Sequence, residues 1–377
     1  MKQILILGGG FGGLAAANEL RANLPDAKIT IIDKKDYFMM DLVKLWIIKG
    51  TRTFENSKRS LHAISKKGIE FVNESVTQID PSRRRVKTQT KELSYDYLII
   101  AMGVELAPEK ISGLVENGFI LYDLEHGPKI RQKILDMKSG KLAFVITGMP
   151  YKCPPAPFEA ALIIESMLQE QKIRNDIEID FYSPAPITLP AAGPDVSKQL
   201  LQMLEKQKIR FHGNCKTKSV QKGKLKFEDG NEADFDALIA IPPHKAPKAV
   251  YECGLAQEGG YIPVKRNCKT GVDSVYAIGD VTTMMVTDKI AVPKAGIFAE
   301  GQGVAVARDI ISQIKREQNN SIFDGKGGCF VEMGNTAGYV YVDMFASPDP
   351  ITRLDEPAPQ HMIEKEQFEK ERIEKWL

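Results

Sequence analysis

The chain has few cysteines, no long apolar runs and no excess of either charge. Its five cysteines are spread over 377 residues with no C-x-x-C pair, which excludes a disulfide framework and a zinc site. No apolar run approaches the roughly 20 residues of a membrane span. A formal charge of +2 with 27% charged residues describes an ordinary soluble surface and excludes nucleic acid as a partner. No leader is expected, because Lys2-Gln3-Ile4-Leu5-Ile6-Leu7 runs directly into a glycine turn and reads as a first strand. The expected compartment is therefore the cytoplasm. The length allows two or three domains with proper cores.

What is present begins at that glycine turn. Residues 4–7 lead into Gly8-Gly9-Gly10-Phe11-Gly12-Gly13 and then Leu14-Ala15-Ala16-Ala17-Asn18-Glu19-Leu20, a strand, a G-x-G-x-x-G turn and a helix. Gly8 makes the tight turn, Gly10 lets a pyrophosphate approach the backbone, and Gly13 lets helix and strand pack closely. The next strand, residues 28–32, ends at Asp33 with Lys34 after it. A carboxylate at this distance from the glycines binds a ribose hydroxyl. The site is that of a dinucleotide.

Residues 95–103, ending Ile99-Ile100-Ala101-Met102-Gly103, resemble the strand and turn that flavin disulfide reductases carry after their adenine-binding region. Residues 270–280, ending Ala277-Ile278-Gly279-Asp280, are similar to the second FAD motif of that family. The resemblance implies FAD in the N-terminal site, with the Asp280 carboxylate on a ribitol hydroxyl. It also implies a second doubly wound domain inserted into the first. The restart of the strand pattern at residues 141–147, 178–182 and 236–241 agrees. The expected fold is α/β, with two Rossmann-like domains, one inside the other, and a small C-terminal α+β domain. The expected limits are 1–110 with 248–315 for FAD, 111–247 for the insertion and 316–377 for the C-terminal domain.

In NADH-using members of that group the first strand of the insertion leads into another glycine turn. Here it leads into Gly148-Met149-Pro150-Tyr151-Lys152-Cys153-Pro154-Pro155. One glycine remains and the prolines remove backbone donors, so no second pyrophosphate site is expected. Residues 158–171 read as an amphipathic helix, with Phe158, Leu162, Ile163, Met167 and Leu168 on its apolar face. Cys153 should then sit just before a helix N-terminus beside Lys152, an environment that favours the thiolate. Glu159, in the first helical turn, is placed to pass a proton to or from a thiol.

With these motifs assembled, the sequence resembles the sulfide:quinone oxidoreductases and the flavoprotein subunit of flavocytochrome c sulfide dehydrogenase. The likeness rests on Cys153-Pro154-Pro155-Ala156-Pro157-Phe158-Glu159, on Pro293-Lys294-Ala295-Gly296-Ile297-Phe298, and on Gly327-Gly328-Cys329-Phe330-Val331-Glu332-Met333-Gly334. It implies that Cys153 and Cys329 face each other beside the flavin. Hydrosulfide would open a sulfur bridge between them, Cys153 would carry the sulfur chain, and Cys329 would pass two electrons to FAD. Glu159 would be the acid/base. Lys294, Ala295 and Gly296 would face the flavin edge where reduction develops negative charge. Many relatives carry a third cysteine where Tyr122 stands, followed by a histidine at the His126 position; only the histidine remains, as a candidate proton relay or a surface residue. Residues 36–50 contain no cysteine, so FAD should be non-covalent. Cys215, Cys253 and Cys268 match no motif.

The chain ends in a charged helix, residues 360–377, with Met362, Ile363, Ile373, Trp376 and Leu377 on one side and Phe368 well off it. Two readings stand: monotopic contact with the inner face of a membrane, or packing on its own core or a second subunit. The resemblance implies sulfide as substrate and a membrane quinone as acceptor. Its rivals are a c-type cytochrome as acceptor, an NADH:quinone oxidoreductase, and a flavin-binding subunit without turnover.

Overall fold

The computed structural model describes residues 1–256, 260–318 and 321–377. Two five-stranded parallel sheets carry the chain. The first runs Val275–Ala277, Tyr97–Ile100, Gln3–Leu7, Lys28–Asp33, Glu70–Asn73. The second runs Phe119–Ile120, Ala237–Ile241, Gly140–Ile146, Ile177–Tyr182, Ile209–His212. The interior strands Tyr97–Ile100 and Ala237–Ile241 are buried along their whole length, as parallel strands covered by helices must be. One strand of the first sheet comes from beyond the second, so the second sheet is an insertion in sequence. A three-stranded antiparallel sheet follows, Lys326–Met333, Thr336–Asp343 and Ile351–Ala358, closed by the helix Pro359–Trp376. The expected class, α/β with two Rossmann-like sheets and a small C-terminal α+β unit, holds.

Glycine sets the approaches that matter for the site. A Cβ on Gly13 would lie 1.9 Å from the Gly8 carbonyl oxygen, and one on Gly303 would lie 2.4 Å from that of Gly12. The first closeness seats helix Phe11–Asn23 on its own strand. The second lets helix Gly296–Lys315 cross it at backbone distance. Both N-termini consequently open on the same space.

The helix after Cys153 is Ala156–Glu170, and it is not amphipathic as expected. Every residue from Ala156 to Glu165 is buried, glutamates included. One side stacks Phe158 on Phe181 at 4.4 Å over the second sheet, and the C-terminal sheet covers another. The apolar periodicity marked only the first of these contacts.

Candidate active site

A cavity of about 610 Å³ lies between the first sheet, the second sheet and the C-terminal unit. Gly8, Gly9, Gly10, Phe11 and Gly12 form one wall, and Ala101, Gly103, Gly279, Asp280, Lys294, Ala295 and Gly296 form others. Gly8 has φ +109° and the space above Gly10 is open, so a ligand can meet bare backbone there. The helices starting at Phe11 and Gly296 have no side chain capping their first N–H groups. Two uncapped helix N-termini aimed into one glycine-lined cavity suit an anionic dinucleotide. Asp33 lines the same wall; its carboxylate accepts from Gly9 N–H at 2.7 Å and Lys35 N–H at 2.9 Å, which fixes its direction. These residues fit FAD. Lys34 does not join them, because its ammonium turns to Glu105 at 3.1 Å.

Lys294 is buried, and its Nζ donates to the carbonyls of Asp280 at 2.5 Å and Thr282 at 2.9 Å while lying 3.8 Å from the centre of the Tyr261 ring. Burial pushes its pKa down to about 8, with Asp280 opposing. Burial also raises the Asp280 carboxyl, against the pull of Lys152 and Lys294.

Cys153 and Cys329 come together in the cavity wall as free thiols. Cys329 rides on strand Lys326–Met333. Gly327 lets that strand press on the start of helix Gly296–Lys315, where a Cβ would stand 2.8 Å from the Phe298 ring, and Gly328 makes room for the Tyr339 ring of the next strand. Cys153 sits at φ +49°. Its N–H donates to the Lys294 carbonyl at 2.6 Å, and the Tyr122 hydroxyl donates to the Lys152 carbonyl at 2.7 Å. The tyrosine at the position of a third cysteine thus anchors the Cys153 loop.

The expected thiolate preference of Cys153 is not found. The hydrogen bond with Cys329, then burial, then the negative charges of Glu159 and Asp41 push its thiol well above the ordinary range. Lys152, counted on to stabilise the thiolate, is paired with Asp41 at 2.5 Å, which also holds Lys44 at 2.8 Å. His126 is not in the cavity wall; its Nδ1 accepts from Ile120 N–H at 2.7 Å and joins strand to helix locally.

Glu159 lines the cavity, and its partner left no sign in the sequence. Its Oε1 accepts from Lys365 Nζ of the C-terminal helix, which also donates to Glu332 Oε2 at 2.7 Å. Glu332 further accepts from Trp46 Nε1 at 2.8 Å and Lys49 Nζ at 2.7 Å. Burial and the nearby Glu332 raise the Glu159 carboxyl against Lys365. Burial would raise Glu332 too, but Lys365 and Lys49 bring it below its usual value. A glutamate three residues after Cys329, next to the apolar Val331 and Met333 of a strand, was a signal that could have been read. Lys365 stands among many charges of one helix and carried none.

That helix buries part of the apolar face expected, Trp376 with Ile373 and Leu377 against the core, together with charged residues that were not expected there. Lys365, Glu369 and Trp376 are buried, Phe368 stacks on Phe11 at 6.3 Å, and Ile363 is exposed. Trp376 meets Phe11 at 5.3 Å and Phe38 at 5.7 Å edge to face. Of the two readings of this segment, packing on its own core describes Trp376 and Phe368.

The sequence pattern of the pyridine nucleotide-disulphide oxidoreductase family matches residues 2–303. The sulfide-quinone reductase of Aquifex aeolicus is 28% identical over 365 residues, covering 92% of this chain and 85% of that protein. The mitochondrial sulfide:quinone oxidoreductase of Mus musculus is 23% identical over 345 residues, covering 87% of this chain and 74% of its own length. The crystal structure of the Aquifex aeolicus sulfide:quinone oxidoreductase superposes with a TM-score of 0.89 at 26% identity, over 98% of this chain and 90% of that one.

Proposed function

This chain belongs to the pyridine nucleotide-disulphide oxidoreductase family and, within it, to the sulfide:quinone oxidoreductase group, and from that membership we propose that it oxidises sulfide through Cys153 and Cys329 and passes the electrons through FAD to a quinone. The observation that carries this reading is the meeting of two cysteines, from distant parts of the sequence, in the wall of a dinucleotide cavity. Such a pair can form a sulfur bridge, be opened by hydrosulfide, and close again with one sulfur more. FAD, when bound, supplies a two-electron acceptor. Gly8, Gly10, Phe11, Gly12 and Gly13 would take its pyrophosphate, Asp33 its adenosine ribose and Asp280 its ribitol. Lys294 would place a positive charge beside the flavin, its depressed pKa making it responsive to charge that develops there. Glu159, with its raised pKa, would take the proton of the incoming sulfide.

FAD is proposed to be non-covalent, because the cysteines in the cavity wall are the two redox candidates. Among the described residues no helix is long and apolar enough to cross a membrane. Contact with a bilayer would therefore be peripheral, and the exposed Ile322, Ile351 and Ile363 of the C-terminal unit are its candidate points.

The test is anaerobic titration of the purified flavoprotein with sulfide, followed by a soluble quinone analogue. Sulfide should bleach the flavin and the quinone should restore it. Cys153→Ser and Cys329→Ser should each abolish bleaching with FAD still bound. Either variant bleaching at the unsubstituted rate would sink the dithiol route, and a reduced flavin that no quinone reoxidises would sink the acceptor.

A further inference from the structure

Behind the thiols a row of charged side chains runs from the cavity to the surface, drawn from four elements. Glu159 of helix Ala156–Glu170 lines the cavity. Its partner Lys365, also in the cavity wall, comes from the C-terminal helix, Glu332 from the Cys329 strand and Lys49 from the end of helix Val43–Lys49. Each is joined to the next by an ion pair, from Glu159 to Lys365, then Glu332, then Lys49. The Glu159, Lys365 and Glu332 side chains are 5%, 2% and 0% exposed, and Lys49 reaches solvent at 16%. Trp46 donates to Glu332 from the side, and Arg52 pairs at 3.5 Å with Glu369, one helical turn beyond Lys365.

Stability alone does not account for this row. A buried ion pair offers a fold little that well-packed apolar side chains would not, and removing one partner is costly. What four alternating, mutually bonded titratable groups do offer is continuity, with one end at the reacting thiols and the other in water.

We propose that Lys365, Glu332 and Lys49 form a proton exit from the dithiol site, with Glu159 as its inner end; this rests on the sulfide-oxidising reading above. The need follows from the balance of the reaction. When neutral hydrogen sulfide enters the Cys153–Cys329 sulfur bridge, one S–S bond is replaced by two and both S–H bonds are broken. An electron pair and one proton go to the flavin, and the second proton has to leave a buried site. Glu159 takes it. Lys365, Glu332 and Lys49 each pass one proton outward and regain one from behind, so the charges of the row are restored. Glu332 and Lys49 lie outside the cavity wall and act through Glu159 and Lys365.

The experiment uses Lys49→Arg in the FAD-loaded full chain. Arginine keeps the charge and the pairing with Glu332, but with a pKa above about 12 it does not give up a proton. Protein is mixed anaerobically with sulfide in weak buffer containing a pH indicator, at a pH where the neutral, doubly protonated form of sulfide predominates, and flavin bleaching and proton release are followed together. In Lys49→Arg, proton release should lag and slow by about 10-fold or more, and its solvent deuterium isotope effect should grow. Methylamine should restore the rate in Lys49→Ala. Glu332→Gln should show the same lag while still accepting from Trp46; if it fails to fold, Lys49→Arg decides. Proton release from Lys49→Arg in step with bleaching, at the unsubstituted rate, would reduce the row to a structural ion cluster and overturn the exit alone. Failure of sulfide to bleach the unsubstituted protein would overturn the functional reading, and the exit with it.

Discussion

Cys153 stands at a backbone angle that L residues with a Cβ rarely adopt, held there by the Lys294 carbonyl and by Tyr122 on the neighbouring peptide. The turn aims its sulfur at Cys329 rather than into the second sheet. Its chemistry follows from what it faces. A helix N-terminus was expected to make a thiolate, but a partner thiol and two carboxylates lie closer in effect than the paired ammonium of Lys152. The spacing of Cys153 before a helix, and Glu159 in its first turn, were readable in the sequence; the balance of charges around the thiol was not, because Asp41 and Cys329 arrive from distant segments. A raised pKa means a smaller thiolate fraction at any given pH below it. Alkylation of Cys153 by iodoacetamide in the dithiol protein, followed by peptide mass, should therefore still be accelerating past pH 9.0, the ordinary thiol value. Cys329→Ser weakens the first cause of the rise, so it should move the midpoint down. A midpoint below 9.0 in the unsubstituted protein would contradict the geometry.

At the scale of elements, the C-terminal helix is the piece whose role changed most between sequence and structure. Its apolar residues suggested a face for lipid, for its own core or for a second subunit; the core takes it, with a buried side that mixes Lys365, Phe368, Glu369 and Trp376. Hydrophobic periodicity finds a face only where burial is apolar, and here an ion cluster takes part of the interface. The last turn presses Trp376 between Phe11 and Phe38, both in the cavity wall, and Lys67 Nζ holds the Lys375 carbonyl at 2.6 Å. This helix thus braces the glycine turn as well as Glu159. Trp376→Ala should cost about 3–5 kcal/mol, the usual range for a fully buried aromatic, read from denaturant unfolding. It should also release FAD on gel filtration more readily than the unsubstituted protein. Unchanged stability together with unchanged FAD retention would mean that the helix merely rests on the surface.

For the whole molecule, the two parallel sheets invite comparison, since each presents the carboxyl ends of its strands to one central cavity, where open α/β sheets bind ligands. The nucleotide site of the first was legible from its glycines, and so was the thiol loop from Gly148 to Pro155 where a second glycine turn was looked for. The joining of the two was not legible, because it depends on the inserted turn reaching the first sheet's side of the molecule. Lys152 pairs with Lys294 as an isolated parallel bridge, and Cys153 N–H completes it. That contact occupies the end of strand Gly140–Ile146 with a thiol loop in place of a phosphate cradle. Gly148 itself is pressed on Pro243, where even a Cβ would stand 2.8 Å from backbone, and Pro154 and Pro155 have no N–H to offer an anion. NADH and NADPH should therefore reduce the flavin far more slowly than sulfide does under anaerobic stopped-flow mixing. Replacing Pro154 and Pro155 by glycine would supply donors but not room, because the Lys152–Lys294 bridge would still fill the strand end; it should leave NADH a poor reductant. Rapid stoichiometric bleaching of the unsubstituted protein by NADH would show that a dinucleotide reaches the flavin despite this loop, and would return the chain to the dehydrogenases.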